Sequence, residues 1–491
     1  MDINREINSL IRDVKSIKPF SIIGSEISRL GVEKIEYIKV RRILREWSKH
    51  FNDIKDSTYS KLLDRIILLI GGKILEKNID RSKRSLYIPK DKLNSLYEEY
   101  SNNLPDIVID KIRRGEIDFP YKKYSISESD VDKAIQNIKM FTSSEFSDRE
   151  YSLPDVKFSD DLLKIWSNPL LIDDRYGHFV HDKMEYDKMD YITDYFTEQQ
   201  RMSSVRADQV PTGLSPLEIW KQGQPIVREI LMKAIEKVLI GSDAVLTPKL
   251  LRECIYELGS KTDGIKESTQ FKISLAMSVM KKFLPEPKAS NVLDISAGWG
   301  DRLIAAIGCD VGHYVATDPN TSLQDGHRNI IERFASSESR GKFKIIYEPF
   351  ETAVLPTGIE YDLVFTSPPF FNLEIYSNEA TQSVAKYSDN LGWLVNFLFK
   401  SLEKAWSVLK VGGTMAIHIT DTPSIRVCEP MILFCSWKLR GCEYRGVVGS
   451  LGGAGLVRPI WVFRKGSSSP HSRKAEKVLK NNHREVYELC K

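Results

Sequence analysis

From Asn291 onward, short apolar runs alternate with amphipathic stretches, which commits this part of the chain to a layered α/β sheet. The runs are Val292–Ile295, Tyr314–Asp318, Phe343–Tyr347, Leu363–Thr366, Thr414–Ile419, Tyr444–Val448 and Pro459–Phe463. Helical spacing fills several gaps, among them Gly326–Phe334 and Trp393–Leu409. The pattern predicts a doubly wound sheet. Ligands of such sheets bind beyond the carboxyl ends of the strands, where the strand order reverses. The motifs that carry chemistry fall at those strand exits.

The first run leads into Asp294-Ile295-Ser296-Ala297-Gly298-Trp299-Gly300-Asp301-Arg302-Leu303. Small residues at a strand exit let backbone amides approach a ligand, and the following helix points its positive end there. An ordinary strand-to-helix turn has the same composition. Asp318 closes the second run, about 20 residues beyond the glycines, where an acid can accept both hydroxyls of a ribose. Position 303 is leucine, so the third glycine of the dinucleotide fingerprint is missing.

These features together resemble the first and second motifs of class I S-adenosylmethionine-dependent methyltransferases. The resemblance spans about residues 265–465 and implies a Rossmann-like, seven-stranded methyltransferase sheet. It implies S-adenosyl-L-methionine as cofactor, with Ser296, Gly298 and Gly300 around it, Asp318 on its ribose and Asp294 near its ammonium group.

The fourth run ends in Thr366-Ser367-Pro368-Pro369-Phe370. Two consecutive prolines remove two backbone donors and fix φ, leaving the Pro368 carbonyl without a local partner in a rigid corner. An amino group can donate to that carbonyl and to the Ser367 hydroxyl, while Phe370 offers a face for a flipped base. An isolated Pro-Pro turn with a core phenylalanine would read the same way. In its position after the fourth strand the corner resembles the (D/N/S)PP(Y/F/W) motif of amino-methyltransferases. Those methylate adenine N6, cytosine N4 or a glutamine amide. The resemblance implies that Ser367, Pro368, Pro369 and Phe370 are catalytic. Serine in first place is commoner among cytosine enzymes and phenylalanine in last place among adenine enzymes. The order of motifs resembles the gamma-type arrangement, in which adenine N6 enzymes predominate, so adenine is preferred. The stretch Phe371–Ser377 resembles that of viral and phage enzymes and is expected as a loop over the base, with Glu374 and Tyr376 shaping the pocket or lying on its surface.

Three further segments are candidates. Thr269-Gln270-Phe271-Lys272 resembles the motif whose aromatic packs on the methionine end of the cofactor, though Phe271 also fits an apolar helix face. After the third run, either Glu348 or Phe350 would contact the cofactor adenine. Upstream, Arg201 either pairs with Glu198 on a helix or holds a substrate phosphate. Arg458, after the Gly449–Gly455 loop, is either structural or part of the same cleft.

The remaining sequence is less specific. Leu30–Trp47 and Tyr59–Leu75 have helical periodicity, with Gly71-Gly72 as an interruption. Ser215-Pro216-Leu217-Glu218 reads as a helix start, and Ile226–Ile240 and Phe271–Phe283 as amphipathic helices. The expected organisation is a helical or mixed region over 1–190 for substrate recognition and a helical segment over 191–290. The methyltransferase domain follows over 291–465, then a flexible or marginally helical basic tail over 466–491. With 491 residues and a net charge of +4, the composition permits a nucleic-acid partner without requiring one. No apolar run approaches the roughly 18 residues of a membrane span, and the N-terminus lacks a signal-peptide core, so a cytoplasmic or nuclear location is expected. The six cysteines form no CxxC pair, which argues against a structural zinc and for free thiols. GxSxG, HExxH and Walker A sequences are absent. The reading is therefore an enzyme that methylates a nucleobase amino group in DNA or RNA. The alternatives are a protein-glutamine methyltransferase, a non-catalytic subunit of the same fold, and a nicotinamide oxidoreductase.

Overall fold

A computed structural model describes residues 74–141, 189–451, 457–467 and 472–491, the short pieces 146–147 and 169–172, and positions 68, 71, 72, 153, 156 and 158. The run Leu30–Trp47 and most of Tyr59–Leu75 lie outside the described residues. Gly71 and Gly72 themselves are helical. The chain divides into two compact units, one of Met1–Ser125 with Gln209–Ile265, the other of Ile126–Asp208 with Lys266–Lys491. This division does not follow the boundaries expected at 190 and 290.

The first unit is mainly helical, with helices over Lys90–Tyr100, Leu104–Arg113, Pro216–Gln222, Pro225–Leu239 and Pro248–Leu258. The helix start at Ser215 is a capping box. Ser215 Oγ accepts from the Glu218 amide at 3.3 Å, and Glu218 Oε2 accepts from the Ser215 amide at 2.8 Å. Trp220, Ile230, Leu231 and Ile255 are buried in its core.

The second unit holds the sheet. Its strands are β1 (Phe146–Ser147), β2 (Pro169–Ile172), β3 (Val205–Arg206), β4 (Asn291–Asp294), β5 (His313–Thr317), β6 (Phe343–Ile346), β7 (Tyr361–Thr366), β8 (Glu374–Ile375), β9 (Leu409–His418), β10 (Cys442–Leu451) and β11 (Val457–Lys465). The main sheet has the order β6-β5-β4-β7-β9-β11-β10-β2-β1. The seven strands from β6 to β10 form the doubly wound Rossmann-like sheet expected from the alternation. Its first five are parallel and β11 is antiparallel to both neighbours. The short strands β2 and β1 extend one edge. Chain order leaves β4 in one direction toward β5 and β6 and in the other toward β7 and β9, so the switch lies between β4 and β7.

The central strands β4, β5 and β7 are buried along nearly their whole length, as a sheet covered by helices on both faces requires. Successive residues alternate between two cores. Val292, Leu363, Phe365 and Ala416 join one, while Leu293, Val364, Met415 and Ile417 join the other. The first core is closed by α3 (Ile273–Phe283), α4 (Asp301–Gly308) and α5 (Gln324–Phe334), which follow α1 (Glu128–Met140) and α2 (Asp194–Met202) along the chain. The second is closed by a wide-wound turn over Trp393–Phe399 and by α6 (Lys400–Val408) and α7 (Cys428–Lys438). The segment 466–491, expected as a flexible or marginally helical tail, ends in helices α8 (Arg473–Asn482) and α9 (Arg484–Cys490). Ala475, Leu479, Val486 and Tyr487 are buried in the second core, and the Tyr487 ring stacks on Trp437 at 5.1 Å. The charges occupy the outer face of an amphipathic pair, which the apolar positions at three- and four-residue steps hold to the domain. Among the described residues, no helix is long and apolar enough to cross a membrane.

Candidate functional site

A cavity of about 320 Å³ opens beyond the carboxyl ends of β4, β5, β6, β7 and β9. Every wall comes from the second unit. The exits of the five parallel strands supply Ser296 and Gly298, then Asp318 and Asn320, then Phe350 and Glu351, then Ser367–Phe370, then His418. This is the switch-point crevice of an open α/β sheet.

The turn after β4 and the acid after β5 are joined directly. The Gly298 amide donates to Asp318 Oδ2 at 2.8 Å, and the Asn320 amide donates to Oδ1 at 2.9 Å. Gly298 has φ +61°, a left-handed conformation that glycine adopts without strain. Burial raises the Asp318 carboxyl from 3.8 to about 6, and the two amides oppose that rise. Gly300 lies outside the lining, contrary to its expected place around the cofactor. It has φ +104° at the start of α4, and a Cβ there would stand 2.6 Å from Ile330 Cδ1. Its role is close packing of the turn on α5.

Asp294 is likewise absent from the lining and fully engaged. Its Oδ2 accepts from Arg302 Nε at 2.7 Å and from the Tyr314 hydroxyl at 2.8 Å, and its Oδ1 accepts from the Ser296 amide at 3.1 Å. Arg302 also donates to the Ser296 carbonyl. Asp294, expected near the cofactor's ammonium group, does not itself line the cavity; it holds the turn through Arg302, which does. Asp301, beside it, donates nothing new to the sequence pattern but lines the cavity too. It accepts from the Thr193 hydroxyl at 2.5 Å, and burial raises it to about 7.

After β6, Phe350 and Glu351 line the cavity and Glu348 does not. Of the expected pair, Phe350 is the residue at the site, and Glu351 was missed. Glu351 Oε1 accepts from Lys386 Nζ at 2.9 Å, while Oε2 is buried without a partner. Three more lining atoms share that condition: Asn320 Nδ2, Gln270 Nε2 and Gln382 Nε2. Buried polar atoms in native proteins are nearly always hydrogen-bonded, so four orphans around one cavity mark positions for ligand atoms.

The Ser367–Phe370 corner lines the cavity in full. Among the described residues no backbone amide donates to the Pro368 carbonyl. Ser367 Oγ is 3.0 Å from His418 Nδ1. Phe370 is half-buried, its ring 5.7 Å from the His418 ring. The next residue turns the chain away: Phe371 has φ +54° and packs edge-on against Trp393 at 5.7 Å. So Phe371 is a core anchor beneath the corner, not part of a loop over a base.

Glu374 and Tyr376 do line the cavity, on a wall made by the antiparallel pairing of β8 with β3. Glu374 accepts from the Thr269 amide at 3.1 Å and from the Tyr376 hydroxyl at 2.8 Å, with Arg206 Nη1 at 3.4 Å. Burial raises the Glu374 carboxyl, and those donors oppose the rise. Phe271 also lines the cavity, just before α3, between Phe365 at 5.7 Å, His418 at 5.2 Å and the Arg302 guanidinium at 5.3 Å. Arg458, at the start of β11, is also at the cavity.

Arg201 is not. It is buried on α2, with Nη2 2.6 Å from Asp194 Oδ1, Nη1 2.9 Å from Glu267 Oε2 and a further bond to the Ser268 carbonyl. Its charge is used inside the domain, which removes it as a phosphate contact. The sequence offered Glu198 as partner; its charge does act on Arg201, while the hydrogen-bonded carboxylates are those of Asp194 and Glu267, the latter 66 residues away.

No protein-family model matches the chain, and a search of curated proteins finds no match. Solved structures do resemble part of it. An rRNA methylase from Streptococcus thermophilus aligns over 41% of this chain and 99% of its own, at 12% identity and a TM-score of 0.29. The N-methyltransferase NodS from Bradyrhizobium japonicum covers 39% of this chain and 95% of its own, at 11% identity and a TM-score of 0.28. An O-methyltransferase from a polyketide multienzyme of Brevibacillus brevis, in complex with S-adenosyl-L-homocysteine, covers 44% and 82%, at 10% identity and a TM-score of 0.29.

Proposed function

We propose that this chain is an S-adenosylmethionine-dependent methyltransferase acting on the exocyclic amino group of a nucleobase in DNA or RNA, with adenine N6 preferred to cytosine N4. One observation carries the reading. The Ser367–Phe370 corner lines the same cavity as Gly298 and Asp318.

The cavity fits the cofactor by its donors and acceptors. Asp318 has a carboxylate at the depth where a ribose would bring two hydroxyls. The unpartnered Asn320 Nδ2, Gln382 Nε2 and Glu351 Oε2 suit the polar edge of a nucleoside, and Phe350 offers it an apolar face. Phe271 and Arg302 suit the methionine end. When bound, S-adenosylmethionine supplies an electrophilic methyl group on a positively charged sulfur. Ser367 Oγ and the Pro368 carbonyl accept the two hydrogens of the incoming amine, which draws its lone pair out of conjugation with the ring. Phe370 stacks on the base, and Glu374 with Tyr376 forms the facing wall. Catalysis by this corner is positioning, which can be worth several orders of magnitude in rate without a strong base.

The test is incubation of the full chain with methyl-tritiated S-adenosylmethionine and separate pools of unmodified DNA, RNA and protein, followed by nucleoside mass spectrometry. N6-methyladenine or N4-methylcytosine in a nucleic-acid pool is the expected result. Label in protein alone, or in none of the pools, overturns the reading.

A further inference from the structure

The reading above gives Ser367 a task that a hydroxyl does not perform by default. A serine oxygen can donate or accept, and its hydrogen rotates to suit its neighbours. If that hydrogen points into the cavity, it faces the hydrogens of an amine head on, and the acceptor is lost. Motifs that begin with an amide or a carboxylate do not face this problem, because the oxygen there has no hydrogen to turn.

Among the described residues, the hydrogen-bond partner of Ser367 Oγ is His418 Nδ1, at 3.0 Å. His418 is the last residue of β9, so the parallel sheet brings it beside the exit of β7. Its ring is held by two aromatic neighbours. Phe271 meets it edge-on at 5.2 Å and 90°, and Phe370, the last residue of the Ser367–Phe370 corner, lies 5.7 Å away. The ring therefore cannot swing away from Ser367 without moving both a cofactor-side and a substrate-side aromatic.

We propose that His418 is a positioning residue: its Nδ1 accepts the Ser367 hydroxyl hydrogen, which leaves the Ser367 oxygen as an obligate acceptor toward the amine. The inference rests on the proposed role of the Ser367–Phe370 corner.

Two roles for a histidine at this place can be told apart by its charge. Burial, with the nearby charges of Arg458 and Arg302, lowers the imidazole from 6.5 to about 3. At neutral pH about one molecule in ten thousand would carry the imidazolium. A group so reluctant to take a proton is a poor general base and a good neutral acceptor. A neutral imidazole keeps one nitrogen protonated, and the bond at the other nitrogen selects which. The assigned tautomer is therefore Nε2–H with a bare Nδ1. An arginine or lysine there would donate to the serine and turn its hydrogen the wrong way.

The tautomer is read without any substrate. Full-length protein labelled with 15N-histidine gives long-range 1H–15N correlations for each of the eight histidines. His418 is assigned by the signal lost in His418→Asn. The expected pattern is a protonated Nε2 and an unprotonated Nδ1, unchanged between about pH 5 and pH 8, with Nδ1 shifted in Ser367→Ala. A protonated Nδ1, or an Nδ1 indifferent to Ser367→Ala, overturns the proposal. The second arm is kinetic, with S-adenosylmethionine and the nucleic-acid pool that accepts methyl groups. His418→Leu is expected to lower kcat roughly tenfold with the KM for S-adenosylmethionine unchanged. His418→Asn, whose side-chain oxygen can stand near the Nδ1 position, is expected to recover most of it. In a Ser367→Ala background the same changes are expected to do nothing more. Equal kcat for His418→Leu and wild type, or equal further losses in both backgrounds, overturns the proposal. Absence of methyl transfer by the wild type counts against the proposed reaction, whereas the tautomer decides the hydrogen bond by itself.

Discussion

The amide of Gly298 donates to Asp318 Oδ2 at 2.8 Å, across 20 residues of sequence. Two signals that are weak apart, a glycine turn and an acid ending the next strand, are thus one structure. The carboxylate is preorganised by backbone amides on both oxygens, and Asp318 lines the cavity.

Asp318 should therefore make cofactor binding sensitive to pH. Its carboxyl sits at about 6 in the folded protein against 3.8 ordinarily. In the proposed site the ionised form accepts from the two ribose hydroxyls, so affinity for S-adenosylmethionine is expected to fall as pH drops below about 6, approaching tenfold per pH unit. In the free protein the sign is opposite. A raised carboxyl binds its proton more tightly folded than unfolded, so this group adds stability as pH falls from about 6 toward 3.8. Calorimetric titration across pH 5–8, set beside melting curves of wild type and Asp318→Asn, checks both. Affinity flat down to about pH 5 would refute the assignment of Asp318 to the ribose.

The Asp294–Arg302 pair is buried on both sides, and removing one partner leaves the other charge uncompensated. Asp294→Ala or Arg302→Ala is expected to cost about 3–5 kcal/mol of stability. Arg302→Ala should also loosen Phe271, over which its guanidinium lies. Urea unfolding gives the loss. A cost under about 1 kcal/mol would show that the pair does not anchor the turn.

The two turn glycines are expected to fail in different ways. At Gly300 a Cβ would meet Ile330 Cδ1 at 2.6 Å, in a backbone region that disfavours side chains. Gly300→Ala should lose about 2 kcal/mol or more of stability. At Gly298 nothing lies nearer than 3.9 Å to a Cβ, so Gly298→Ala carries only the left-handed strain of about 1 kcal/mol. Its Cβ would project beside the cavity, so the larger effect is expected on cofactor affinity. Paired measurements of melting temperature and cofactor Kd separate the two.

Ser367→Ala and Phe370→Ala are expected to lower methyl transfer by about tenfold to a thousandfold while cofactor affinity stays within about twofold. Phe370→Tyr should retain activity, because the stacking face survives. Arg201→Ala provides the contrast. It should unfold the domain at lower denaturant without changing the salt dependence of nucleic-acid binding, since its charge is spent on Asp194 and Glu267.

The seven strands β4–β7 and β9–β11 were legible because each is a short, largely apolar run set apart from its neighbours, whereas the short strands β1, β2, β3 and β8 carried no such pattern. The Ser367–Phe370 corner and Asp318 were legible because a strand exit fixes where its next residues lie. Residues within loops were not. Glu351 rather than Glu348 reaches the cavity through the course of the turn after β6, which three residues of sequence do not encode. Asp294 has the right type and place for a ligand contact, yet Tyr314 and Arg302 take its oxygens. His418 could have been found, since it is the next-to-last residue of the strand read over Thr414–Ile419, at the end where ligands of such sheets bind. Arg206 and Gln382 had no such signal: one reaches the wall by pairing in a two-residue strand, the other from a loop.

The path of the chain also decides how the gene can be dissected. A fragment begun at Asn291, where the alternation starts, would lack Arg206, Thr269, Phe271 and Lys272 from the cavity and Thr193 from its bond to Asp301. The excursion over 209–265 leaves and re-enters at neighbouring points, for Lys266 Nζ donates to the Asp208 carbonyl at 2.8 Å. A minimal version made by replacing that excursion with a few flexible residues would retain every residue that lines the cavity, which a truncation running past Arg206 cannot achieve.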